Sequence, residues 1–259
     1  MKAAGVLLKV LNGLYSLVLF LTLTAAAGLS GYVLWDSSRV IQSAHAVQQT
    51  LQAYRPAATG AKEKSDAEEK ASFAELQALN PDICAWLTLS DTGIDYPVVQ
   101  GEDNLSYLSK NALGDYDLAG SIFLDTRNSR SFDGAYQVLY GHNVDGDAMF
   151  ADLLKYREAA FFEENREGVL ILPGNGQKLL VFACVRTSER EPLIFDPEYA
   201  AENRSLLLDY AEEHAEQADG NALAALRTND GKILAMTTCS NGSDEDERIA
   251  VLAWMEEMK

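Results

Sequence analysis

Apolar and polar positions divide the chain into three parts. Residues 10–35 carry no charged side chain, residues 36–72 become polar, and residues 73–259 alternate short apolar runs with turn-forming residues. A helix rises about 1.5 Å per residue, so roughly 20 apolar residues cross a bilayer. The pattern therefore predicts a transmembrane helix at residues 10–35, preceded by a short segment at 1–9 and followed by a linker and one folded domain.

The charges around the apolar segment predict its orientation in a membrane. Lys2 and Lys9 precede the segment and Asp36 follows it. Because positive residues are retained on the cytoplasmic side, we expect a single-pass protein of the cell membrane with residues 1–9 in the cytoplasm and the rest outside. A cleaved signal peptide is the alternative, since small residues occupy positions 25–27. The apolar run exceeds the usual signal core of roughly 7–15 residues, which favours an anchor.

The linker, residues 36–72, has two halves. Val40, Ala44, Val47 and Leu51 are spaced so that they share one face of a helix. We expect this helix to continue from the membrane segment or to pack on the folded domain. The second half is polar and rich in Ala, Lys and Glu, which is typical of a solvated spacer.

Short apolar runs separated by turn residues dominate the remainder of the chain. Residues 85–89 and 94–100 flank a turn-rich tetrad, so they predict a β-hairpin. Further strands are expected at residues 120–124, 135–140, 169–172, 178–186, 232–238 and 248–254. Helices are expected at residues 149–154, 158–164 and 197–217. Many short strands with few helices predict a mainly β fold, a barrel or a sandwich with helical insertions.

Composition excludes some classes of protein. Hydrophobic residues make up 47% of the chain, so a packed core is expected and global disorder is not. The formal net charge is −18, and such an acidic surface repels phosphate backbones, so we expect no nucleic-acid partner. The histidines and cysteines lack metal-ligand spacing, so neither a metal nor another cofactor is predicted.

The three cysteines differ in their surroundings. Cys84 and Cys184 lie in apolar segments, where buried and inert thiols are the favoured interpretation. A disulfide between these two is the alternative in an exported chain. Cys239 ends an apolar run and is followed by a polar loop, which would hold its thiol rigidly and leave it open to solvent.

Two more residues complete a candidate catalytic set. His142 follows an apolar strand, with Gly141 allowing close backbone approach, and Arg248 begins the last strand. A nearby imidazole or guanidinium favours the thiolate, and a guanidinium can donate to a developing oxyanion. These residue types suit acyl transfer by Cys239. The alternatives are a core cysteine, a turn histidine, and an arginine that neutralises the acidic residues 244–247.

Two short segments resemble the active-site signature of sortases. Thr237-Thr238-Cys239, with Arg248 soon after, resembles the Thr-Cys pair that ends one strand and the Arg that begins the next. Residues 140–143, Tyr-Gly-His-Asn, resemble the histidine segment. The similarity to class B sortases is broader and includes Trp86, residues 94–100, Asp103-Asn104, Tyr107-Leu108, residues 120–125 and Met149-Phe150.

This resemblance implies a fold and a reaction. The fold would be a β-barrel of about eight strands with peripheral helices, behind an N-terminal transmembrane helix. The enzyme would be a cysteine transpeptidase, with hydrolase activity on peptide bonds, in which Cys239 is the nucleophile, His142 the acid and base, and Arg248 the oxyanion and substrate clamp. The same resemblance places candidate substrate-binding residues at Tyr140, Asn104, Thr237, Thr238 and Ser240.

The resemblance also implies partners. The donor would be a secreted surface protein or pilin with a C-terminal sorting motif, and the acceptor an amine of a peptidoglycan precursor or of a pilin. The acidic segment at residues 187–228 resembles the class B insertion and would line the substrate groove. One departure is Ala235-Met236, where sortases usually have Thr-Leu. A cysteine hydrolase and a non-enzymatic membrane-tethered binding module are the rival functions.

Overall fold

A closed ring of β-strands forms the centre of the molecule. The computed structural model describes residues 2–56, 66–144, 146–239 and 246–258. The strands of this part are β1 (Ile83–Leu89), β2 (Asp95–Val99), β3 (Ile122–Leu124), β4 (Tyr136–Tyr140), β5 (Asn143–Val144), β6 (Ala148–Met149), β7 (Glu167–Leu172), β8 (Asn175–Ser188), β9 (Ala215–Ala218), β10 (Lys232–Cys239) and β11 (Glu247–Glu257). Eight of them make the ring, and the others are additions to it.

The strand order closes the ring. Neighbouring strands follow the order β11-β10-β4-β3-β2-β1-β7-β8, and β8 pairs back to β11. Most pairs are antiparallel, whereas β2 with β3 and β4 with β10 are parallel. Strand β9 adds to the edge of β8, and β5 and β6 form a separate pair. The predicted mainly β fold with a barrel of about eight strands is therefore confirmed, including the β1–β2 hairpin.

Strand β10 shows how the barrel is packed. Leu234 and Met236 point into the barrel interior, whereas Ile233 and Ala235 join a second apolar cluster outside it. Successive side chains of a strand face opposite sides of the sheet, so both faces of β10 are covered. This double burial explains why the strand reads as a continuous apolar run rather than as an alternating one.

Helices surround the barrel. They are α1 (Lys2–Gln52), α2 (Asp66–Leu79), α3 (Ala159–Glu164), α4 (Pro192–Phe195), α5 (Pro197–Glu202), α6 (Arg204–His214) and α7 (Gly220–Leu226), with 3-10 helices at Ser106–Leu108 and Ala151–Arg157. Helices α4 to α7 form the insertion between β8 and β10, and their apolar side chains cover the outer face of the barrel.

Helix α1 joins the apolar N-terminal segment to the barrel without a break. Its stretch Leu11–Gln52 is long and apolar enough to cross a membrane, and none of the most apolar window is buried by the rest of the chain. Further along, Ala44 and Leu51 are fully buried against the domain. The predicted helical half of the linker therefore both continues from the apolar segment and packs on the domain. The predicted spacer overlaps α2, and much of it lies outside the described residues.

Two predicted helices are corrected. The expected single helix at 197–217 is divided into α5 and α6, and residues Ala215–Ala218 form β9 instead. Pairing with β8 supplies the backbone hydrogen bonds of β9, which a local pattern does not reveal. The expected helix at 149–154 is also wrong at its start, because Met149 belongs to β6 and the following turns are 3-10.

Candidate active site

Strands β4 and β10 bring His142 and Cys239 to the same edge of the barrel. The two strands run parallel, with Tyr140 opposite Thr237. His142 and Cys239 each follow these partners by two residues, so they extend neighbouring strands on the same face, where strands are about 4.8 Å apart. The pairing continues past the strand ends, because the Gly141 amide donates to the Thr237 carbonyl oxygen at 3.2 Å.

Strand β11 adds Arg248 on the other side of Cys239. Arg248 is the direct antiparallel partner of Cys239, so their side chains project from the same face of the sheet. This is the outer face of the sheet. Further along the two strands, the insertion packs against this face at Ala250 and Ile233. The expectation that Arg248 begins a strand beside the one ending at Cys239 is confirmed.

Close packing fixes the histidine. Its Nε2 lies 2.9 Å from the Leu108 carbonyl oxygen, and that nitrogen must carry a proton in this contact because a carbonyl only accepts. A Cβ at Gly141 would lie 2.6 Å from the Phe150 ring. At Gly120, where φ is +63°, a Cβ would lie 3.0 Å from the His142 ring. Glycine at both positions lets the backbone approach closely enough to hold the imidazole in place.

His142, Cys239 and Arg248 line one cavity of about 530 Å³, which we call the cleft. It lies between the sheet edge, the loop before β3 and the start of the insertion. The other residues of its lining are Asn104, Leu108, Phe123, Tyr140, Glu189, Arg190, Phe195, Thr237 and Thr238. The insertion contributes Glu189, Arg190 and Phe195, as expected of a segment that lines a groove. The exposed thiol of Cys239 therefore opens into the cleft.

A buried carboxylate organises the floor of the cleft. Asp125 is fully buried and accepts hydrogen bonds from Tyr140 Oη at 2.8 Å and from Asn104 Nδ2 at 3.0 Å. Arg127 binds it with two nitrogens and also reaches Asp196 of the insertion at 3.1 Å. Burial alone would raise the pKa of Asp125, but the hydrogen bonds from Arg127 and Tyr140 outweigh it and hold that pKa below its usual range. Asp125 thus connects cleft residues to the insertion.

Replacing Asp125 by asparagine should destabilise the domain at neutral pH. The change removes charge-assisted hydrogen bonds, each worth about 1.5–3 kcal/mol, and we expect a loss of that order. The folded-state pKa is below the unfolded one of about 3.9, so this stabilisation is complete above that value and is lost as pH falls through the folded pKa. Urea unfolding of both proteins across acidic pH measures it; a stability gap that does not narrow on acidification would contradict the assignment.

The candidate substrate-binding residues have different roles in the structure. Tyr140 and Asn104 line the cleft while bound to Asp125. Thr237 also lines it, but its hydroxyl donates to the Leu139 carbonyl oxygen at 2.9 Å and so ties β10 to β4. The Thr238 hydroxyl, next to Cys239, is buried and has no hydrogen-bond partner among the described residues. Ser240 lies outside the described residues.

Sequence reasoning missed Glu189. Its carboxylate forms a short ion pair with the Arg248 guanidinium, which also donates to the Glu247 carbonyl oxygen at 3.0 Å. The Glu189 amide in turn donates to the Asp246 carbonyl oxygen at 2.9 Å. Glu189 follows β8, and only the pairing of β8 with β11 brings it to Arg248. No local pattern signals that pairing, although an acidic residue just after a long strand was visible in the sequence.

The other two cysteines are separate from this site. Cys84 and Cys184 are buried free thiols, so the interpretation as buried thiols holds and no disulfide joins them. Burial raises the pKa of each thiol to about 12, which leaves them protonated and unreactive. Among the described residues, no cluster of three His, Cys, Asp or Glu side chains could hold a metal ion.

Two known proteins with similar sequences are both sortase B enzymes. No protein-family model matches the chain. Sortase B of Staphylococcus aureus is 30% identical over 183 residues, which is 70% of this chain and 73% of that protein. Sortase B of Listeria monocytogenes is 45% identical over 94 residues, which is 36% of this chain and only 38% of that protein.

Solved structures give the same result. A Streptococcus pyogenes class B sortase involved in pilus biogenesis superposes with a TM-score of 0.65 at 35% identity, covering 71% of this chain and 97% of that one. A mutant form of Clostridium perfringens sortase B gives a TM-score of 0.67 at 26% identity, over 80% and 96% of the two chains. Sequence and overall fold therefore agree, and the chain belongs to the class B sortase family.

Proposed function

We propose that the chain is a membrane-anchored cysteine transpeptidase that cleaves a C-terminal sorting signal of secreted proteins. Family membership supports a transpeptidase function in general. The observation that carries the specific assignment is that Cys239, His142 and Arg248 lie at the ends of three adjacent strands, at one edge of the barrel, and all line the cleft.

The first half-reaction forms a thioester. The Cys239 thiolate attacks the carbonyl carbon of the scissile bond, and the oxyanion that develops accepts hydrogen bonds from Arg248. Protonated His142 gives its proton to the leaving amine, the C–N bond breaks, and the C-terminal fragment departs. Tyr140 and Asn104, which line the cleft, would contact the sorting peptide.

The second half-reaction transfers the acyl group. A primary amine attacks the thioester carbonyl, neutral His142 accepts its proton, and the C–S bond breaks to release the new amide and restore the thiolate. The amine belongs to a peptidoglycan precursor or to a pilin subunit. The pilus role of the Streptococcus pyogenes relative makes the pilin a candidate for this chain as well.

Product analysis with and without an added amine tests the proposal. The enzyme is incubated with a library of sorting-signal peptides, alone or with triglycine, and the products are identified by mass spectrometry. When triglycine is present, we expect most of the product to be the peptide acyl group joined to the triglycine amine, in place of the free acid that hydrolysis gives. A cysteine hydrolase would give the acid in both cases, and a binding module would give neither.

We further propose that α1 anchors the enzyme, with its N-terminus in the cytoplasm and the catalytic domain outside. The apolar, unburied stretch of α1 and the lysines before it support this topology. The full-length chain should therefore fractionate with membranes and resist carbonate extraction. Release of a shortened form beginning near Gly28 would show instead that the segment is a cleaved signal peptide.

A further inference from the structure

A second cavity shares His142 with the cleft. It has a volume of about 310 Å³ and lies between α1 and the loop that follows β4. We call it the stalk cavity; its lining is Asp36, Ser37, Val40, Ile41, Leu118, His142, Asn143 and Val144. The Asn143 side chain of this lining also donates to the Cys239 carbonyl oxygen at 3.4 Å. His142 therefore lies between two cavities. The cleft contains Arg248, and the stalk cavity approaches the imidazole from the side of α1.

Contacts between α1 and the domain give the stalk cavity a fixed wall. Ser43 Oγ donates to Asp117 Oδ2 at 2.5 Å, and Gln52 Nε2 donates to Asp95 Oδ2 at 2.9 Å. Ile41 packs so closely on Gly146 that a Cβ there would lie 3.0 Å from its methyl group. Together with buried Ala44, these contacts hold residues 41–52 of α1 against the domain.

The stalk cavity also lies next to the end of the apolar segment. Asp36 directly follows residues 10–35. Tyr32 and Trp35 are exposed and lie in ring contact, with Arg39 over the Trp35 ring at 4.9 Å from its centroid. Aromatic rings with a nearby cation are typical of the level of the lipid headgroups. This places the mouth of the stalk cavity at the membrane surface in the proposed topology.

We propose that the stalk cavity admits the acceptor amine, so that the two substrates approach His142 from different cavities; this inference rests on the proposed transpeptidase function. A primary amine arrives mostly as an ammonium ion, which the Asp36 carboxylate attracts. Before it reacts, the ammonium ion loses one proton to water. The neutral amine nitrogen then bonds to the thioester carbon, a further proton passes from that nitrogen to the His142 imidazole, and the Cys239 sulfur leaves as the thiolate. The amine can be free or tethered to the membrane, since both present the same group.

Two variants of full-length enzyme in lipid nanodiscs test this route. Ser37→Trp places a large ring in the stalk cavity and should lower kcat/KM for triglycine on the order of tenfold or more, because the amine is displaced from the thioester. Asp36→Asn keeps the shape and removes the charge, so we expect a loss of about three- to fivefold. Ser38→Trp is the matched control, because exposed Ser38 is the next residue on the helix and does not line the stalk cavity.

The readout separates the two half-reactions. The rate of Cys239 acylation by a sorting peptide, measured without amine, should be the same in Asp36→Asn as in the parent enzyme. Hydroxylamine, which is mostly uncharged near neutral pH, should react equally well with both acyl-enzymes. Triglycine attached to a lipid should show a larger loss than free triglycine if the natural amine is membrane-tethered, and an equal loss if it is soluble.

The outcomes separate a failure of the proposed amine route from a failure of the proposed transpeptidase function. Unchanged transfer to triglycine in both Asp36→Asn and Ser37→Trp, with normal acylation, would overturn the stalk cavity as the amine route while leaving the transpeptidase intact. Failure of the parent enzyme to become acylated would instead refute the proposed function. If Ser37→Trp also loses acylation, the substitution has disturbed the domain. Asp36→Asn then tests the route alone: a loss specific to triglycine supports the stalk cavity as the amine route, and no loss overturns it.

Discussion

Replacing Cys239 by alanine should abolish both peptide cleavage and transfer while leaving the fold intact. In the proposed mechanism the thiol forms the covalent intermediate. No other described cysteine is available to replace it, because Cys84 and Cys184 are buried with pKa values raised to about 12. Cys239 is exposed at the end of β10, so its truncation removes little packing. Activity is measured as release and transfer of a sorting peptide, and the fold by circular dichroism.

Matched controls come from the other two cysteines. Cys84→Ala and Cys184→Ala should retain activity, with a small loss of stability from the reduced packing of buried side chains. Iodoacetamide should alkylate the parent enzyme at Cys239 and spare the other two thiols in the folded state. Transfer of a peptide to an amine by Cys239→Ala would show that the proposed nucleophile is wrong.

Replacing Arg248 by lysine should keep the charge and lose much of the rate. A guanidinium holds several donors in a rigid fork, whereas lysine offers a mobile point charge. Loss of one oxyanion donor typically costs about 10²–10³ in kcat, or roughly 3–4 kcal/mol, and we expect an effect of that size. Arg248→Ala should be at least as damaged. Steady-state kinetics on a sorting peptide provide the measurement.

The alternative roles of Arg248 give different results. If Arg248 only balances nearby acidic residues, lysine should substitute almost freely, since exposed ion pairs are worth about 0–1 kcal/mol. If it mainly sustains the thiolate, both variants should shift the alkylation of Cys239 to higher pH. Glu189→Gln removes the carboxylate that holds the guanidinium and should cost less than Arg248→Lys, because the donors remain. Near-normal kcat/KM in Arg248→Lys would contradict the oxyanion role.

Local sequence patterns predicted those elements whose structure depends mainly on residues close together in the chain. The β1–β2 hairpin was predictable because a turn-rich tetrad separates two apolar runs, and β10 because both of its faces are buried. Cys239 could be singled out since an apolar run meets a polar loop at that residue. His142 and Arg248 could be named as its candidate partners from their places at strand ends, and the resemblance to sortases favoured that grouping. The pairing of β10 with β4 and with β11 supplies the physical reason.

Elements that depend on distant partners were not predictable. The Ala-Glu-Gln-Ala segment of β9 has no strand pattern and is extended because β8 offers it an edge. Asp125 lies inside a segment that resembles class B sortases, yet its role follows only from the approach of Tyr140, Asn104 and Arg127. The stalk cavity likewise requires α1 to dock on the domain, which its sequence leaves as one of two possibilities.

Intact mass spectrometry of the enzyme during turnover tests the central claim most directly. The full-length protein is mixed with a sorting-signal peptide in the absence of amine, quenched in acid and digested to locate any adduct. We expect one added mass equal to the acyl part of the peptide, carried by Cys239 and removed when triglycine is added before the quench. Cleavage of the peptide with no adduct on Cys239, or with the adduct on another residue, would contradict it.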